Sequence, residues 1–317
     1  MPSPSKGSAL RARLAEKKFL FTPGLTTPLQ AMIIEKAGYD YAYMGGYDTS
    51  LTLLGMPDVG LISSTEMVAS ARSIAGSVNI PVLADADTGY GNAINVMRTV
   101  REFEAAGVAG INIEDQVSPK RCGHVAGKRI IDFDEAVGKI RAAVDAKSDP
   151  DFIIIARTDA VSAPGGGLDE AIRRGLAFAR AGADMLWCEF PSTDLAMPAR
   201  FAAAIRAEYP TLPLYFNYSS NLKWHESPAS FDTLAEMGYR LITVSLAGMR
   251  VAMQAVWDYA VDLRQRGAAA EIDLEKKSLH HPLGNHHAFA GFAGIKALEA
   301  KYLPEEDLKK YQGADGL

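Results

Sequence analysis

One local pattern of apolar and polar residues recurs along this chain. An amphipathic stretch ends in a glycine, and a short, continuous apolar run follows it, as happens after Gly38, Gly107, Gly182 and Gly238. A glycine that follows a helix adopts the left-handed conformation at little cost. Apolar runs that do not alternate with polar residues are typical of strands buried on both faces. The pattern therefore predicts repeated helix–strand units.

The apolar runs predict eight strands, the number that a closed (β/α)8 or TIM barrel requires. They cover residues 18–21, 39–43, 81–85, 110–114, 152–156, 185–189, 213–216 and 241–245. Helical patterns cover residues 27–37, 64–77, 93–106, 134–146, 169–181, 195–208, 231–236 and 249–265. Asp134 and Asp169 are predicted to cap their helices. A doubly wound open sheet is the alternative, but its glycine fingerprint does not follow the first predicted strand.

The predicted α/β barrel occupies residues 1–267, and a helical extension occupies residues 268–317. The extension contains a helix-like run at 289–302 but no predicted strand. Its apolar face must therefore be buried elsewhere, and we expect it to dock on a neighbouring subunit. The extension is thus expected to belong to the same domain as the barrel and to the subunit interface.

Composition restricts the classes of function. The 317 residues are 48% hydrophobic and 22% charged, which is typical of a globular protein with a large core. A net charge of −5 without a basic cluster disfavours a nucleic-acid partner. No apolar run could span a membrane and no secretion signal begins the chain, so a cytoplasmic location is expected. Cys122 and Cys188 are therefore expected to be free thiols.

Residues 120–124 form the most reactive-looking segment of the chain. They place the thiol of Cys122 beside two cationic side chains and an imidazole, with a glycine between them. Nearby positive charge favours the ionised form of a thiol, so the sequence predicts a reactive cysteine. The polar loop 116–129 that carries it is predicted to close over a bound ligand. The alternative is that Cys122 is a small, passive apolar residue.

Charged and polar residues collect at the ends of the predicted strands and in the loops that follow. In a (β/α)8 barrel these positions carry the catalytic groups. They are Asp58, Asp85, Asp87, Glu114, Arg157, Asp159, Glu189, Asn217, Ser219, Ser220 and Ser245. Four carboxylates, two of them spaced i, i+2, suit a hard cation such as Mg²⁺, whereas no Cys/His cluster has zinc spacing. The alternative for any single acid is a solvated loop carboxylate or a helix cap.

With these residues in view, the block 120–124 resembles the signature of the lyase branch of the isocitrate lyase/phosphoenolpyruvate mutase superfamily. Residues 85–91, 113–116 and 156–160 also resemble blocks of that superfamily, and the resemblance covers nearly the whole chain. It implies a (β/α)8 barrel whose last helix is swapped between subunits, usually in a homotetramer. It also implies cleavage of a C–C bond in a 2-hydroxy acid, giving a 2-oxo acid and a dicarboxylate.

The resemblance also assigns roles to individual residues. It implies Mg²⁺, with Mn²⁺ as the alternative, held directly by Asp87 and largely through water by Asp58, Asp85 and Glu114. The implied catalytic set contains Cys122 as the general acid together with Lys120, His124, Arg157 and Glu189. The implied substrate-binding set is Tyr43, Gly45, Gly46, Tyr47, Gly123, Arg157, Asn217, Ser219 and Ser245.

Two roles stay open at this point. Gly45 replaces the hydroxyl residue that usually holds the oxo-acid carboxylate in this superfamily. The backbone N–H groups of Gly45 and Gly46 are expected to bind that carboxylate instead. The base that removes the hydroxyl proton is either Tyr43 or a metal-bound hydroxide.

The resemblance favours isocitrate as the substrate without excluding its close relatives. Residues 217–224 resemble the isocitrate lyase segment that grips the succinate carboxylate, with Asn221 in place of its second serine. Tyr47 is bulky where methylisocitrate lyases have a small residue, and it would crowd the methyl group of pyruvate. The length of the chain is instead that of methylisocitrate lyases, and residues 141–147 resemble the corresponding segment of those enzymes. The alternatives are 2-methylisocitrate or 2,3-dimethylmalate cleavage, oxaloacetate hydrolysis, and a non-catalytic binding protein.

Overall fold

Eight parallel strands close into a barrel in the computed structural model, which describes residues 4–309 except 221 and 228. The strands are β1 (Leu20–Leu25), β2 (Ala42–Met44), β3 (Val82–Asp85), β4 (Gly110–Glu114), β5 (Ile153–Thr158), β6 (Met185–Cys188), β7 (Leu214–Asn217) and β8 (Tyr239–Val244). They pair in chain order, and β8 pairs with β1 to complete the ring. The predicted (β/α)8 barrel is therefore confirmed. Asn221, which replaces a serine of the isocitrate lyase segment that residues 217–224 resemble, lies outside the described residues.

Helices alternate with these strands. The helices before and around the barrel are α1 (Lys6–Glu16), α2 (Pro28–Lys36), α3 (Gly46–Thr49), α4 (Ser64–Gly76), α5 (Ala93–Ala105), α6 (Phe133–Ala146), α7 (Leu168–Arg180), α8 (Ala196–Glu208) and α9 (Phe231–Met237). They are followed by α10 (Ala247–Arg266), α11 (Ala268–Ser278), α12 (His286–Phe289), α13 (Phe292–Tyr302) and α14 (Glu305–Leu308). Among the described residues, no helix combines the length and apolarity needed to cross a bilayer.

The two predicted helix caps are wrong. α6 begins one residue earlier than predicted, after Asp132, and α7 begins after Gly167. Asp134 and Asp169 lie instead in the first turns of these helices. A carboxylate in a first turn is still favourable, because it faces the partial positive charge of the helix N-terminus.

Both faces of the strands are buried, which explains their continuous apolar runs. Tyr41 and Tyr43 belong to one core cluster inside the barrel, whereas Ala42 and Met44 belong to a second cluster beneath the helices. The Tyr41 hydroxyl donates a hydrogen bond to the Ile242 carbonyl, so this tyrosine is satisfied inside the barrel. Alternation in side-chain direction is therefore present, but it does not appear as alternation in polarity.

The first helix, α1, closes the N-terminal end of the barrel. Leu10 and Leu14 belong to the inner core cluster. Arg11 donates to the Asp151 carbonyl and pairs with Asp184, and both partners precede strands at this end. Sequence analysis does not predict this helix, because its apolar stripe is short and lies between charged residues.

The chain divides into two compact units, one up to Val251 and the other from Ala252 onward. This division falls inside α10, whereas the predicted boundary at 267/268 coincides with the end of that helix. The second unit is helical, and it exposes large apolar side chains such as Trp257 and Ile295.

We expect Gly110→Ala to destabilise the barrel. A Cβ at this position would collide with the backbone carbonyl of Ile153 on β5. Overpacking of this kind costs about 1–3 kcal/mol in the free energy of unfolding, which urea denaturation measures.

Gly138→Ala in α6 is the matched control. A Cβ there meets open space, and alanine is the better helix former. The free energy of unfolding should therefore rise by about 0.5–1 kcal/mol. Equal stability of the two variants would contradict the close approach of β4 and β5.

Candidate active site

A cavity opens at the carboxyl ends of the barrel strands, where the sequence predicts the chemistry. Its lining includes the predicted site residues Tyr43, Gly45, Gly46, Tyr47, Asp58, Asp85, Lys120, Cys122, Gly123, His124, Arg157, Glu189, Asn217, Ser219 and Ser245. Asp87 and Glu114, which the sequence assigns to the metal site, do not line it. They are buried and joined to the lining through ion pairs with Lys120 and Arg157.

The acidic cluster is organised around the ammonium group of Lys120. Its Nζ lies 2.7 Å from Asp58 Oδ1 and 2.8 Å from Asp87 Oδ1, and all three side chains are buried. Burial alone would lower the pKa of Lys120, but the charges of Asp87, Glu114 and Asp58 outweigh it and raise that pKa well above its usual value. Lys120 therefore carries a charge that opposes protonation of Asp87 and Glu114.

Asp85 is held by three hydrogen bonds. Its Oδ1 accepts from the Asp87 backbone N–H (2.9 Å) and from Asn112 Nδ2 (2.8 Å), and its Oδ2 accepts from the Gly46 N–H (3.1 Å). The Gly46 N–H, which the sequence analysis expects to bind a substrate carboxylate, thus donates to Asp85 in this structure. Asp87 has a left-handed φ of 46°, and this turn places its carboxylate at Lys120.

The carboxylates fit a hydrated divalent cation rather than a directly caged one. Among the described residues, no three His, Cys, Asp or Glu side chains are arranged as a metal-ligand group. Both Glu114 oxygens are nevertheless buried without a hydrogen-bond partner in the described structure, and Arg157 Nε lies 3.4 Å from Oε2. Mg²⁺ keeps several waters and needs only one or two direct carboxylates, so this donor set fits it.

Burial dominates the proton affinity of this cluster. It raises the pKa of Asp87 to about 6, although Lys120 opposes the rise. It also raises the pKa of Glu114 well above its usual value, although Arg157 and Lys120 oppose it. A dry group of acids with too few cations is an environment that favours a further positive charge.

Arg157 links the acidic cluster to the opposite side of the cavity. Its guanidinium binds Asp159 through two hydrogen bonds of 2.9 and 3.0 Å, and it lies 3.4 Å from Glu189 Oε2 and 4.5 Å from the Trp187 ring centre. Burial opposes ionisation of Asp159, but Arg157 and Lys128 hold its pKa below the usual value. The guanidinium is therefore fixed in a charged, planar arrangement.

Cys122, His124 and Glu189 form the reactive side of the cavity. His124 Nε2 lies 3.1 Å from Glu189 Oε1, and His124 lines the cavity together with the half-buried Cys122. Burial alone would lower the pKa of His124, but Glu189 and Cys122 raise it to about 10. Burial would raise the pKa of Glu189, yet His124 and Arg157 lower it. A protonated imidazole therefore stands beside the thiol at neutral pH.

The loop that carries Cys122 is packed closely against this site. A Cβ at Gly123 would collide with the Arg157 guanidinium, so only glycine permits this approach. Lys128 donates to the Gly123 carbonyl and lies 3.2 Å from Asp159. The predicted grouping of the cysteine block with Arg157 is thus present in the structure.

Tyr43 is neutral in this environment. Its hydroxyl donates to Asn112 Oδ1 at 2.9 Å, and burial raises its pKa well above the usual value. This arrangement disfavours Tyr43 as the base that removes a substrate proton.

The site also contains residues to which the sequence analysis gives no role, among them Asn112, Trp187 and Asp48. Asn112 is the one polar residue inside the apolar run of β4, and this signal could have revealed it. Trp187 lies two residues after Met185 on β6, and both side chains belong to the core cluster inside the barrel. Asp48 lines the cavity beside Gly45, and burial raises its pKa to about 7 although the Leu246 backbone opposes the rise. No local motif distinguishes Asp48.

A closed (β/α)8 barrel with buried acids, a cationic fork and a thiol at its carboxyl end defines an enzyme of the TIM-barrel class. The sequence model of the phosphoenolpyruvate phosphomutase family matches residues 10–264. The chain belongs to the phosphoenolpyruvate mutase/isocitrate lyase superfamily, as its sequence resemblance indicates.

Several curated relatives share about two fifths of their residues with this chain. An isocitrate lyase of Haloferax volcanii is 41% identical over 302 residues, which are 95% of this chain and 88% of that protein. A 2,3-dimethylmalate lyase of Eubacterium barkeri is 42% identical over 83% of this chain and 88% of its own length. A probable 2-methylisocitrate lyase of Corynebacterium glutamicum is 40% identical over 90% of each chain. These lyases confirm the predicted enzyme class, a carbon–carbon lyase.

Solved structures agree with this assignment. A crystal structure of 2,3-dimethylmalate lyase superposes with a TM-score of 0.84 at 32% identity and covers 100% of both chains. A phosphonopyruvate hydrolase in complex with oxalate and Mg²⁺ superposes with a TM-score of 0.79 at 30% identity, over 95% of this chain and 100% of its own.

We expect Glu189→Gln to lower the pKa of His124. Without the carboxylate, burial is less opposed, so the imidazole should lose its proton well below pH 10. Histidine side-chain NMR measures this titration, with His124 assigned by its loss in His124→Gln. Because the pKa is raised, the pair stabilises the fold fully below about pH 6.5 and loses this effect as the pH rises through about 10.

Glu226→Gln is the control for this titration, because it removes a carboxylate 3.5 Å from the exposed His225. It should leave the His124 resonance unchanged. A His124 titration that is identical in wild type and Glu189→Gln would show that the 3.1 Å pair does not set this pKa.

Proposed function

We propose that this protein is a magnesium-dependent lyase that cleaves isocitrate into glyoxylate and succinate. The observation that carries the proposal is that Cys122 and the Glu189-paired His124 line the same cavity as Arg157. A thiol that can donate a proton to carbon and a guanidinium group that can bind an anion therefore line one cavity. The acidic cluster completes the set that a C–C cleavage of a 2-hydroxy acid requires.

The residues of the chain divide the reaction between them. When bound, Mg²⁺ would supply a Lewis acid to the 2-hydroxy acid, and Asp87, Asp58, Asp85 and Glu114 would hold it. Arg157 neutralises the carboxylate of the forming oxo acid through its planar guanidinium.

The succinate half is handled on the opposite side of the cavity. A base takes the hydroxyl proton, the O–H electron pair forms the C=O bond of glyoxylate, and the C–C bond breaks with its electron pair moving to the succinate carbon. His124, Asn217 and Ser219 stabilise this enolate-like anion. Cys122 then gives its proton to the carbon, and Glu189 holds His124 in place for this step. Asn217 in turn donates to both Glu189 oxygens at 3.2 and 3.0 Å.

Tyr47 supports isocitrate over 2-methylisocitrate. Its side chain lines the cavity next to Gly45 and Gly46, where the oxo-acid half is expected. Identity with the curated relatives is 41, 42 and 40%, so overall similarity does not choose among their substrates. The alternatives remain 2-methylisocitrate, 2,3-dimethylmalate and oxaloacetate, and steric exclusion of a methyl group argues against the first.

We also propose a homotetramer whose subunits exchange a C-terminal helix. The exposed apolar side chains of the second unit, including Trp257, Leu298 and Tyr302, support burial against another subunit. The extension 268–317 would then contribute to the subunit interface. The cytoplasmic location and Mn²⁺ as a substitute metal stay predictions from the sequence.

A substrate panel tests the proposed reaction. Isocitrate, 2-methylisocitrate, 2,3-dimethylmalate and oxaloacetate are assayed with Mg²⁺ and after chelation, and the products are identified. Glyoxylate and succinate, formed only with metal, are expected. Release of pyruvate or oxalate as the main product would reject isocitrate as the substrate.

We expect Tyr47→Ala to shift selectivity toward 2-methylisocitrate. Removing the ring opens space for one methyl group, which is worth about 10–200-fold in the ratio of kcat/KM values for the two substrates. Tyr47→Phe keeps the bulk and serves as the control, with an unchanged ratio. An unchanged ratio in Tyr47→Ala would show that this ring does not select the substrate.

We expect Cys122→Ser to lower kcat by about 100-fold or more, because a hydroxyl is a much weaker acid than a thiol. Calorimetry should show that glyoxylate still binds in the presence of Mg²⁺. Cys188→Ala is the matched control, because Cys188 belongs to the core beneath the helices. Normal turnover by Cys122→Ser would remove the thiol from the mechanism.

A further inference from the structure

A second cavity, of about 420 Å³, lies between the two ends of the loop 116–129. Four cationic residues, Lys120, Arg121, Lys128 and Arg129, contribute to its lining, which includes no carboxylate from the described part of the chain. This composition is unusual in a protein whose net charge is −5. The cavity shares Lys120 with the active site but contains neither Cys122 nor Arg157.

Two of the four cations are already neutralised by acids of the barrel. Lys120 pairs with Asp58 and Asp87, and Lys128 pairs with Asp159. Arg121 and Arg129 are exposed, and the described structure pairs neither guanidinium with a carboxylate. The positive charge that remains for a ligand is therefore that of these two arginines.

The backbone fixes both arginines to the same anchor. The Gln116 side chain donates to the Arg121 carbonyl at 2.9 Å and accepts from the Arg121 N–H at 3.0 Å. The Val117 N–H donates to the Arg129 carbonyl at 2.8 Å, and Gln116 bridges to Ile130. Both arginines thus line one cavity from backbone positions that are held close together, which lowers the entropic cost of binding a shared ligand.

We propose that this cavity is a second anion site, which binds a small polyanion between Arg121 and Arg129. The ligand class is an anion with at least two negative charges, a di- or tricarboxylate or a phosphate. Planar guanidinium groups bind such oxyanions in a bidentate manner, and no carboxylate in the lining competes for them. Binding at this site does not depend on the reaction proposed above.

Occupation of the site has a consequence for the active site. Arg121 adjoins Cys122, and Lys120 and Lys128 extend from the two ends of the same loop to the acids beneath it. An anion that bridges the two arginines holds these ends together and favours the docked loop. Turnover therefore responds to the anion, and this part of the inference rests on the proposed function.

Calorimetry on the full chain at low ionic strength tests the binding. Inorganic phosphate and citrate are titrated separately, so that the two anion sources are distinguished. Arg129→Gln should weaken the probe that binds by about tenfold or more, since one charged fork is lost. Arg72→Gln, which removes an exposed arginine from α4, is the matched control and should leave binding unchanged.

Binding that is unaffected by Arg129→Gln but lost in Arg157→Gln would place the anion in the active site and overturn the proposal. Absence of binding by both probes would overturn it too. If Arg129→Gln lowers the thermal midpoint, Arg129→Lys carries the test, with a smaller loss because it keeps the charge and loses the fork.

Steady-state turnover tests the coupling. The probe should change kcat in wild type at concentrations near its calorimetric Kd, and the effect should vanish in Arg129→Gln. A probe that binds without changing turnover rejects the coupling. If no substrate of the panel is cleaved while Arg129-dependent binding persists, the proposed reaction fails and the anion site stands.

Discussion

The balance of charge inside the barrel mouth is the constraint on which the rest of this site depends. Buried carboxylates accumulate at the strand ends, and the cations that neutralise them are held in fixed places. Lys120 forms ion pairs with Asp58 and Asp87, and Arg157 forms one with Asp159. Removal of one partner from such a pair typically costs 3–5 kcal/mol, because it leaves a buried charge uncompensated.

This balance joins the loop to the barrel. Lys120 and Lys128 belong to the loop, whereas their acidic partners belong to the barrel framework. The loop is therefore needed to stabilise the acids, and the acids are needed to dock the loop. Since Cys122 lies between the two lysines, the same ion pairs that neutralise the cluster also deliver the thiol to the cavity.

The sequence predicts the barrel well because its signal is local. Short apolar runs after glycine-ended helices locate the strands within a few residues. The first strand is displaced from 18–21 to Leu20–Leu25 because Pro23 and Gly24 lie within it, and both residues suggest a break. α1 is missed because its two buried leucines become meaningful only against the barrel floor.

The sequence predicts which residues line the site better than it predicts the contacts between them. Strand-end position and family resemblance bring most lining residues together, but ion-pair partners are set by tertiary geometry. No spacing in the sequence indicates that Lys120 binds Asp87, or that Asp85 engages the Gly46 N–H. Asp87 also limits redesign of the site. Its left-handed backbone is adopted more readily by Gly, Asn and Asp than by most residues, so a longer Glu introduced there as a new ligand would strain the chain.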